Sequence, residues 1–299
     1  MDTDDTTTTV VELGPGEVGM AAPLFAGAWA DRAYIDAVLE GRAAGRVLVD
    51  RLEGPRSALM ARSYEYFLAG EPVAAMRRFV AEAPAEADVF RFLYGYVSFD
   101  EAWVEALRED APTLGTIGRR TFVLDAARWA GIAGRRAELP AGIALAPLDA
   151  ELARRADEEL DEVIGLMWGG HAAFAEQGFG TVAVESATGR LVSVCAALGR
   201  SDAEANLGVA SHPAHRRRGL ASLCCRAAIG QALALGLAPT WDCDAANPPS
   251  AALARSLGFR ELASFVELAY PRRGAPTPST GLWTSAPGEG GSTVWRRAG

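Results

Sequence analysis

The sequence is poor in the residues that hold metals and build disulfides. Among 299 residues there are four cysteines, Cys195, Cys224, Cys225 and Cys243, and three histidines, His171, His212 and His215. No C-x-x-C pair faces a second one at zinc spacing, and the adjacent Cys224 and Cys225 suit neither a disulfide nor a metal site. The expectation is buried thiols in a reducing compartment, and no metal. No apolar run is long enough to cross a bilayer, and the opening MDTDDTTTTV is acidic and polar rather than a signal peptide. A cytoplasmic location without a membrane partner is therefore expected. Positive charge is short as well: 29 Lys+Arg stand against 38 Asp+Glu, which argues against nucleic acid as a partner. The Walker A pattern and G-x-G-x-x-G are both missing, which leaves ATP and NAD poor candidates.

What is present is enough apolar material for real cores. Hydrophobic residues make up 49% of the chain, and its length exceeds one typical domain, so two are expected. The boundaries are drawn as a disordered start over 1–10, an N-terminal α/β domain over 11–140, a second domain over 141–271 and a flexible tail over 272–299. In the first domain, 16–44 reads as helical with a break near Asp31. Residues 46–52 read as a strand and 58–69 continue the alternation. Val73, Met76, Phe79 and Val80 put a helix over 72–83. A strand over 89–97, a helix over 99–109 capped by Ser98 and a strand over 121–124 complete it. The Gly-, Ala-, Pro- and Arg-rich stretch 131–147 reads as a linker.

The second domain opens with Asp149 capping a helix whose apolar positions run from Leu152 through Ala156, Leu160, Val163 and Ile164 to Met167. Gly169 and Gly170 break it, and a short helix follows to Gln177. The turn Ser186–Gly189 joins 179–185 to 191–198 as an antiparallel hairpin. A strand over 206–211, a buried helix over 219–235 stopped by Gly236, and a strand over 239–244 come next. Asn247 or Ser250 then caps a helix that Gly258 ends, and 265–270 is the last strand.

Between the 206–211 strand and the buried helix lies HPAHRRRGLAS, residues 212–222, where an acidic chain gathers three consecutive arginines. A helix N-terminus offers unsatisfied N–H groups and a partial positive charge. Gly219 lets a bulky group approach the backbone, and the small Ala221 and Ser222 keep the first turn open. Together with Arg216, Arg217 and Arg218 they form a cradle for a diphosphate. The bland alternative is a solvated basic helix start.

Residues 209–222 resemble motif A of the GCN5-related N-acetyltransferases (GNAT), whose signature Q/R-x-x-G-x-G/A is supplied by Arg216, Gly219 and Ala221. A second pattern of that family, N-x-x-S/A-x-x-L-x-x-x-L-G-F, is matched by Asn247, Ser250, Leu253, Leu257, Gly258 and Phe259. The resemblance covers about residues 145–270. In finer detail WGGHAAFAEQGFGTV and PTWDCDAAN resemble a two-domain bacterial subgroup that includes zwittermicin-resistance acetyltransferases. The resemblance implies a mixed, mostly antiparallel α/β sheet flanked by helices, preceded by an α/β domain that is a candidate degenerate copy of the same fold. It implies acetyl-CoA, or another acyl-CoA, as co-substrate. Its diphosphate would lie on the amides of Gly219, Leu220, Ala221 and Ser222, and its pantetheine arm along Val209, Ala210 and Ser211. Asn247 and Ser250 join the cofactor-binding set, and Arg217 and Arg218 either face solvent or reach the adenosine phosphate.

The chemistry implied is direct attack of a primary amine of a small molecule on a thioester, with a base to take the amine proton. Glu204, Asp242 and Asp244 are the candidate bases; Asn206, on the Glu204 face of its strand, joins Glu204 and Asp242 in the candidate catalytic set, and Asp244 shares the Asp242 face. Each carboxylate has the plainer reading of a solvated or hydrogen-bonded strand end. His212 lies in the turn beside the cofactor. The family's usual acid is a tyrosine seven residues after the motif asparagine, and here that position is Ala254. Cys243 as an acylated nucleophile is a lesser alternative to a buried thiol. A non-catalytic acyl-CoA-binding protein is the alternative function, and a homodimer is a candidate assembly.

Overall fold

The computed structural model describes residues 9–62, 65–82, 95–98, 100–112, 115–134, 138–269, 283–287 and 293–297. In chain order these form β1 (Thr9–Glu12), α1 (Arg32–Leu39), β2 (Arg46–Val49), β3 (Ser57–Arg62), β4 (Glu65–Gly70), α2 (Ala74–Glu82), β5 (Gly95–Ser98) and α3 (Glu101–Asp110). There follow β6 (Gly115–Leu124), α4 (Ala126–Ala133), β7 (Ile143–Pro147), α5 (Ala150–Leu160), α6 (Ile164–Trp168), α7 (His171–Gln177), β8 (Gly180–Glu185) and β9 (Leu191–Arg200). The last are β10 (Glu204–Ser211), α8 (Leu220–Ala234), β11 (Ala238–Asp244), α9 (Pro248–Ser256), β12 (Phe259–Ala269), β13 (Trp283–Pro287) and β14 (Thr293–Arg297). Among the described residues no helix is long and apolar enough to cross a membrane. All four cysteines are buried and free, as expected.

The chain divides into two compact units, one of residues 1–30, 38–117 and 265–299, the other of 31–37 and 118–264. The expected boundary near residue 140 falls inside the second unit. In the first unit the strands run β13-β14-β1-β2-β3-β4-β5-β12, antiparallel throughout except that β4 and β5 run parallel. The predicted face of α2 is real: Met76, Phe79 and Val80 are buried against Leu59, Tyr66 and Leu68 of the sheet, with Trp103 and Leu107 of α3. Burying side chains of this size stabilises by about 1.5–3 kcal/mol each.

The second unit has the order β6-β11-β10-β9-β8-β7, again antiparallel except for one parallel pair, β10 and β11. The helix α8 connects that pair. It buries Leu220, Cys224, Cys225, Ala228, Ile229 and Ala232, while Leu233 and Leu235 at its far end are exposed, so it is buried on one face rather than all round. Asp149 caps α5 as expected, its carboxylate accepting from the Leu152 N–H at 2.8 Å. That helix stops at Leu160, because Asp161 turns left-handed (φ 59°). The carboxylate of Asp157 accepts from the N–H groups of Ile164 (2.8 Å) and Gly165 (2.9 Å), which starts α6 as a separate helix.

Several other elements differ from expectation. Residues 16–44 hold two 3-10 turns, Val18–Ala21 and Leu24–Gly27, before α1, the glycines and prolines there interrupting any longer helix. Asp31 does break the segment, with φ 55°. The run 58–69 is not one strand but two antiparallel ones, β3 and β4, with Arg62 opposite Glu65; both are buried on both faces, so neither shows the alternation that would mark it as a separate strand. Asp100, not Ser98, caps α3, accepting from the Ala102 N–H at 3.0 Å. The stretch read as a linker contains the end of α4, capped by Asp125, and the edge strand β7. Thr9–Glu12, placed partly in a disordered start, pairs with Thr293–Arg297, placed in a tail. The expected residues 89–94 and Tyr270 lie outside the described residues.

Candidate functional site

Two features meet at the C-terminal end of β10. The first is a fork. Among the described residues β10 pairs with β11 only over Glu204–Asn206, opposite Ala238–Thr240. The remaining strand, Leu207–Ser211, stays on β9, with Val209 opposite Cys195, Ala210 opposite Val194 and Ser211 opposite Ser193. From Thr240 onward β11 is instead paired with β6. The register of β10 on β9 shifts between Asn206 and Leu207, at the point where the fork opens. Such a bulge increases local twist and turns a strand away from its neighbour. Val209, Ala210 and Ser211 therefore line an opening into which their second backbone edge points. The Ser193 hydroxyl donates to the Ala210 carbonyl at 3.0 Å and lies 2.7 Å from the Ser211 hydroxyl, fixing the end of the strand.

The second feature is the connection from β10 to α8. His212 Nδ1 accepts from the Ala214 N–H at 3.3 Å and starts a one-turn 3-10 helix, Pro213–His215. Arg216 is extended, and its Nε donates to the Ser211 carbonyl at 3.2 Å. Arg217 sits at φ 62°, a left-handed conformation unusual for a side-chain-bearing residue. Arg218 Nη1 lies 2.9 Å from His215 Nδ1. Gly219 is also left-handed (φ 78°) and is the N-cap of α8, with no side chain capping the helix. A Cβ built at Gly219 would meet nothing within 4 Å. Arg216, Arg217, Arg218 and Gly219 are all exposed, while Ala221 and Ser222 are half-buried and Leu220 is buried.

The arrangement is an open helix N-terminus, with the first-turn N–H groups of a 15-residue helix directed at a space rimmed by guanidinium groups. A nest of this kind binds anions. The positive field also reaches across the sheet. The Glu185 carboxyl is held below its ordinary value first by the Thr188 hydroxyl, against desolvation, and further by the charges of His215, Arg190 and Arg218.

The candidate acids and bases are distributed as follows. Glu204 is half-buried, and burial pushes its carboxyl up; the charge of Asp36 raises it further and that of Arg32 opposes. Asp242 does not stand free as a base: its carboxylate is ion-paired with Arg119 on β6. The reason is register, since β6 and β11 run antiparallel with Arg119 and Asp242 near one another on adjacent strands. Asn206 is buried, its Oδ1 accepting from the Tyr34 hydroxyl at 2.8 Å and its Nδ2 reaching Thr240 Oγ1 at 3.5 Å. Asp244 accepts from the Ala246 N–H at 2.7 Å and shapes the turn before α9.

The downstream motif serves α9. Asn247 Oδ1 accepts from the Ser250 N–H at 3.2 Å, and Ser250 Oγ accepts from Trp241 Nε1 at 3.1 Å. Ala254 is fully buried under the sheet. Burial pushes the Cys243 thiol up against a hydrogen bond from Ser250, which disfavours the thiolate a nucleophile needs. Reasoning from sequence missed Tyr34, Arg32, Asp36 and Arg119. The Tyr34–Asn206 contact spans 172 residues, and no local pattern marks it.

A family model described as GNAT acetyltransferase matches residues 22–266. The chain belongs to the GNAT acetyltransferase family. One curated relative, the uncharacterized N-acetyltransferase YdfB of Bacillus subtilis (strain 168), is 27% identical over 128 residues, 43% of this chain and 48% of that protein. The chain thus spans about half the length of the curated relative it matches. Among solved structures, a GCN5-related N-acetyltransferase-like protein from Streptococcus suis 89/1591 covers 86% of this chain and 100% of its own, with 22% identity and a TM-score of 0.68. A tandem GNAT protein from the clavulanic acid biosynthesis pathway covers 87% and 96%, with 17% identity and a TM-score of 0.58. At these identities the solved structures bear on the GNAT fold alone.

Proposed function

We propose that this chain is an acyl-CoA-dependent N-acyltransferase that modifies a primary amine of a small molecule, with acetyl the group most in keeping with its family. The observation that carries the reading is the uncapped, glycine-opened N-terminus of α8 beside three exposed arginines, at the mouth of the β10/β11 fork. The 5′-diphosphate of coenzyme A's 3′-phosphoadenosine is an anion of the kind this cradle takes. The first-turn amides of Gly219, Leu220, Ala221 and Ser222 would hold it. Arg216 keeps its terminal nitrogens for phosphate while its Nε anchors Ser211. Val209, Ala210 and Ser211 would present the free strand edge to an amide-bearing arm. Bound acetyl-CoA supplies the acetyl group already activated as a thioester.

Glu204 is the base we assign. Its raised carboxyl is better matched than an ordinary glutamate to taking a proton from an ammonium group near neutral pH. Asn206 holds the strand beside it rather than moving a proton. Asn247 and Ser250 shape the start of α9 and act on the cofactor site through that scaffold. The chain has no lysine, so its own side chains offer no primary amine, which favours a separate molecule as the acceptor. The net charge of −9 favours a cationic acceptor, and an amino-bearing natural product fits that description.

The buried alanine at 254 favours a second reading, a protein that binds acyl-CoA without turning it over. Calorimetric titration with acetyl-CoA and thiol release against a panel of amines test both. Binding with amine-dependent thiol release supports the enzyme. Binding with no release across the panel supports the second reading, and no binding ends both.

A further inference from the structure

Tyr34 belongs to a seven-residue piece, 31–37, that sits in the second unit although the rest of that unit begins at residue 118. Its ring occupies the space above Gly199, where an added Cβ would lie 2.3 Å from Tyr34 Cδ1. Gly199 is the β9 partner of Asn206. The Tyr34 hydroxyl donates to Asn206 Oδ1 at 2.8 Å, Asn206 Nδ2 reaches Thr240 Oγ1 at 3.5 Å, and Thr240 Oγ1 reaches the Ala205 carbonyl at 3.4 Å. Asn206 and Thr240 form the last paired position before β10 and β11 separate, and the β10 bulge follows immediately. The chain of contacts therefore runs from Tyr34 through the apex of the fork to β11.

We propose that Tyr34 is a positioning residue: its hydroxyl fixes Asn206 and so holds the β10/β11 fork in the opened form that takes the acyl-CoA arm. This deepens the acyltransferase reading and rests on it. The physical logic is preorganisation. A buried Asn206 oxygen without its donor seeks another partner, and the fork then populates arrangements that do not bind. Apparent affinity falls by the fraction of protein that is out of the competent form.

The test is calorimetric binding of acetyl-CoA, with thermal unfolding in parallel, on the full chain. Tyr34→Phe removes only the hydroxyl and should weaken acetyl-CoA binding about tenfold, the size expected for one buried acceptor left unpaired. Val47→Ala, at a fully buried position of β2 in the first unit, supplies a comparable loss of stability away from the fork and should leave binding unchanged. The double variant Tyr34→Phe with Asn206→Leu replaces both partners by apolar groups and should recover much of the unfolding midpoint. Affinity should stay low in it, because the link to Thr240 is gone. If Tyr34→Phe does not fold, the double variant alone carries the comparison with Val47→Ala. Affinity that merely follows the unfolding midpoint across the three variants overturns the proposal and leaves the acyltransferase reading standing. Wild-type protein that takes up no acetyl-CoA overturns that reading, and this proposal with it.

Discussion

The two units share a strand plan and differ where it matters. In the first, β1-β2-β3-β4-β5 is capped by β12; in the second, β7-β8-β9-β10-β11 is capped by β6. In each the single parallel pair is bridged by a helix, α2 or α8, and followed by another, α3 or α9. The strand after α3 contributes to the second unit, and the strand after α9 contributes to the first. The parallel pair of the first unit stays together along the whole of β5, Glu65–Leu68 opposite Gly95–Ser98, whereas β10 and β11 separate after three residues. The connection from β4 to α2 is Glu71–Val73, with an acidic residue and a proline in place of the arginines and glycine of 212–219. Glu71 is ion-paired with Arg56, so this connection presents a carboxylate already held by a cation where 212–219 presents exposed arginines. The same plan thus serves as scaffold in one place and as a candidate cofactor site in the other, and a short loop makes the difference.

Transplanting that loop is the largest perturbation available. Replacing residues 212–219 with Glu-Pro-Val should abolish acetyl-CoA binding in calorimetry, while conservative changes in Glu71–Val73 should leave it intact. Binding that survives the replacement would place the cofactor elsewhere. Next in size come the point variants. Gly219→Glu puts a negative side chain into a position with φ 78°. Strain of about 1–2 kcal/mol for a left-handed residue adds to repulsion of phosphate, and acetyl-CoA affinity should fall well beyond tenfold. Arg216→Ala should cost about tenfold, as expected for one charge-assisted contact, and the loss should shrink as salt is raised. An Arg216→Ala loss that ignores salt would mean that the arginine acts through its bond to Ser211 instead.

How much of this was visible in the sequence also divides by unit. The 212–219 connection with its left-handed glycine, the helix after it, the hairpin before it and the Asn247 cap were legible because each is local: a glycine at a left-handed position, an Asx cap and an apolar period all lie within one turn or one strand. The first unit was harder. Its strands β3 and β4 are buried on both faces, so neither carries the one-sided alternation by which a strand is recognised and bounded. The choice between a base and a hydrogen-bonded strand end at Asp242 stayed open in the sequence because its partner Arg119 is 123 residues away on an antiparallel neighbour. Tyr34 and Asp36 were invisible for the same reason: a strand plan with exchanged closing strands and a borrowed helix is written in tertiary contacts, not in periodicity.

The pH dependence sharpens the contrast between carboxylates. Burial and the Asp36 charge raise Glu204, so a rate that needs its ionised form should rise with pH through a midpoint above the ordinary glutamate value of about 4.3. Asp36→Asn removes a negative neighbour, makes ionisation easier and should move that limb to lower pH. Glu162, in the α5–α6 turn, is also pushed up, to about 7, by burial and by the charges of Asp157 and Asp161. Glu162→Gln should leave the limb in place. A limb that vanishes in Glu162→Gln and persists in Glu204→Gln would transfer the role of base from one glutamate to the other.

The smallest effect expected is at Asn247. Its carboxamide accepts from the Ser250 N–H and satisfies one of the orphan donors of α9, so Asn247→Ala should destabilise the fold by about 1 kcal/mol. It is exposed and its hydrogen bond is internal to the helix start, so acetyl-CoA affinity should change by less than about threefold, the range of a surface substitution away from a charged contact. Chemical denaturation alongside calorimetry separates the two quantities. A large loss of affinity with little loss of stability would make Asn247 a direct ligand rather than a cap. The second recognisable motif of the sequence would then belong to the cofactor site itself, and the contrast between a binding loop at 212–219 and a purely architectural α9 would have to be given up.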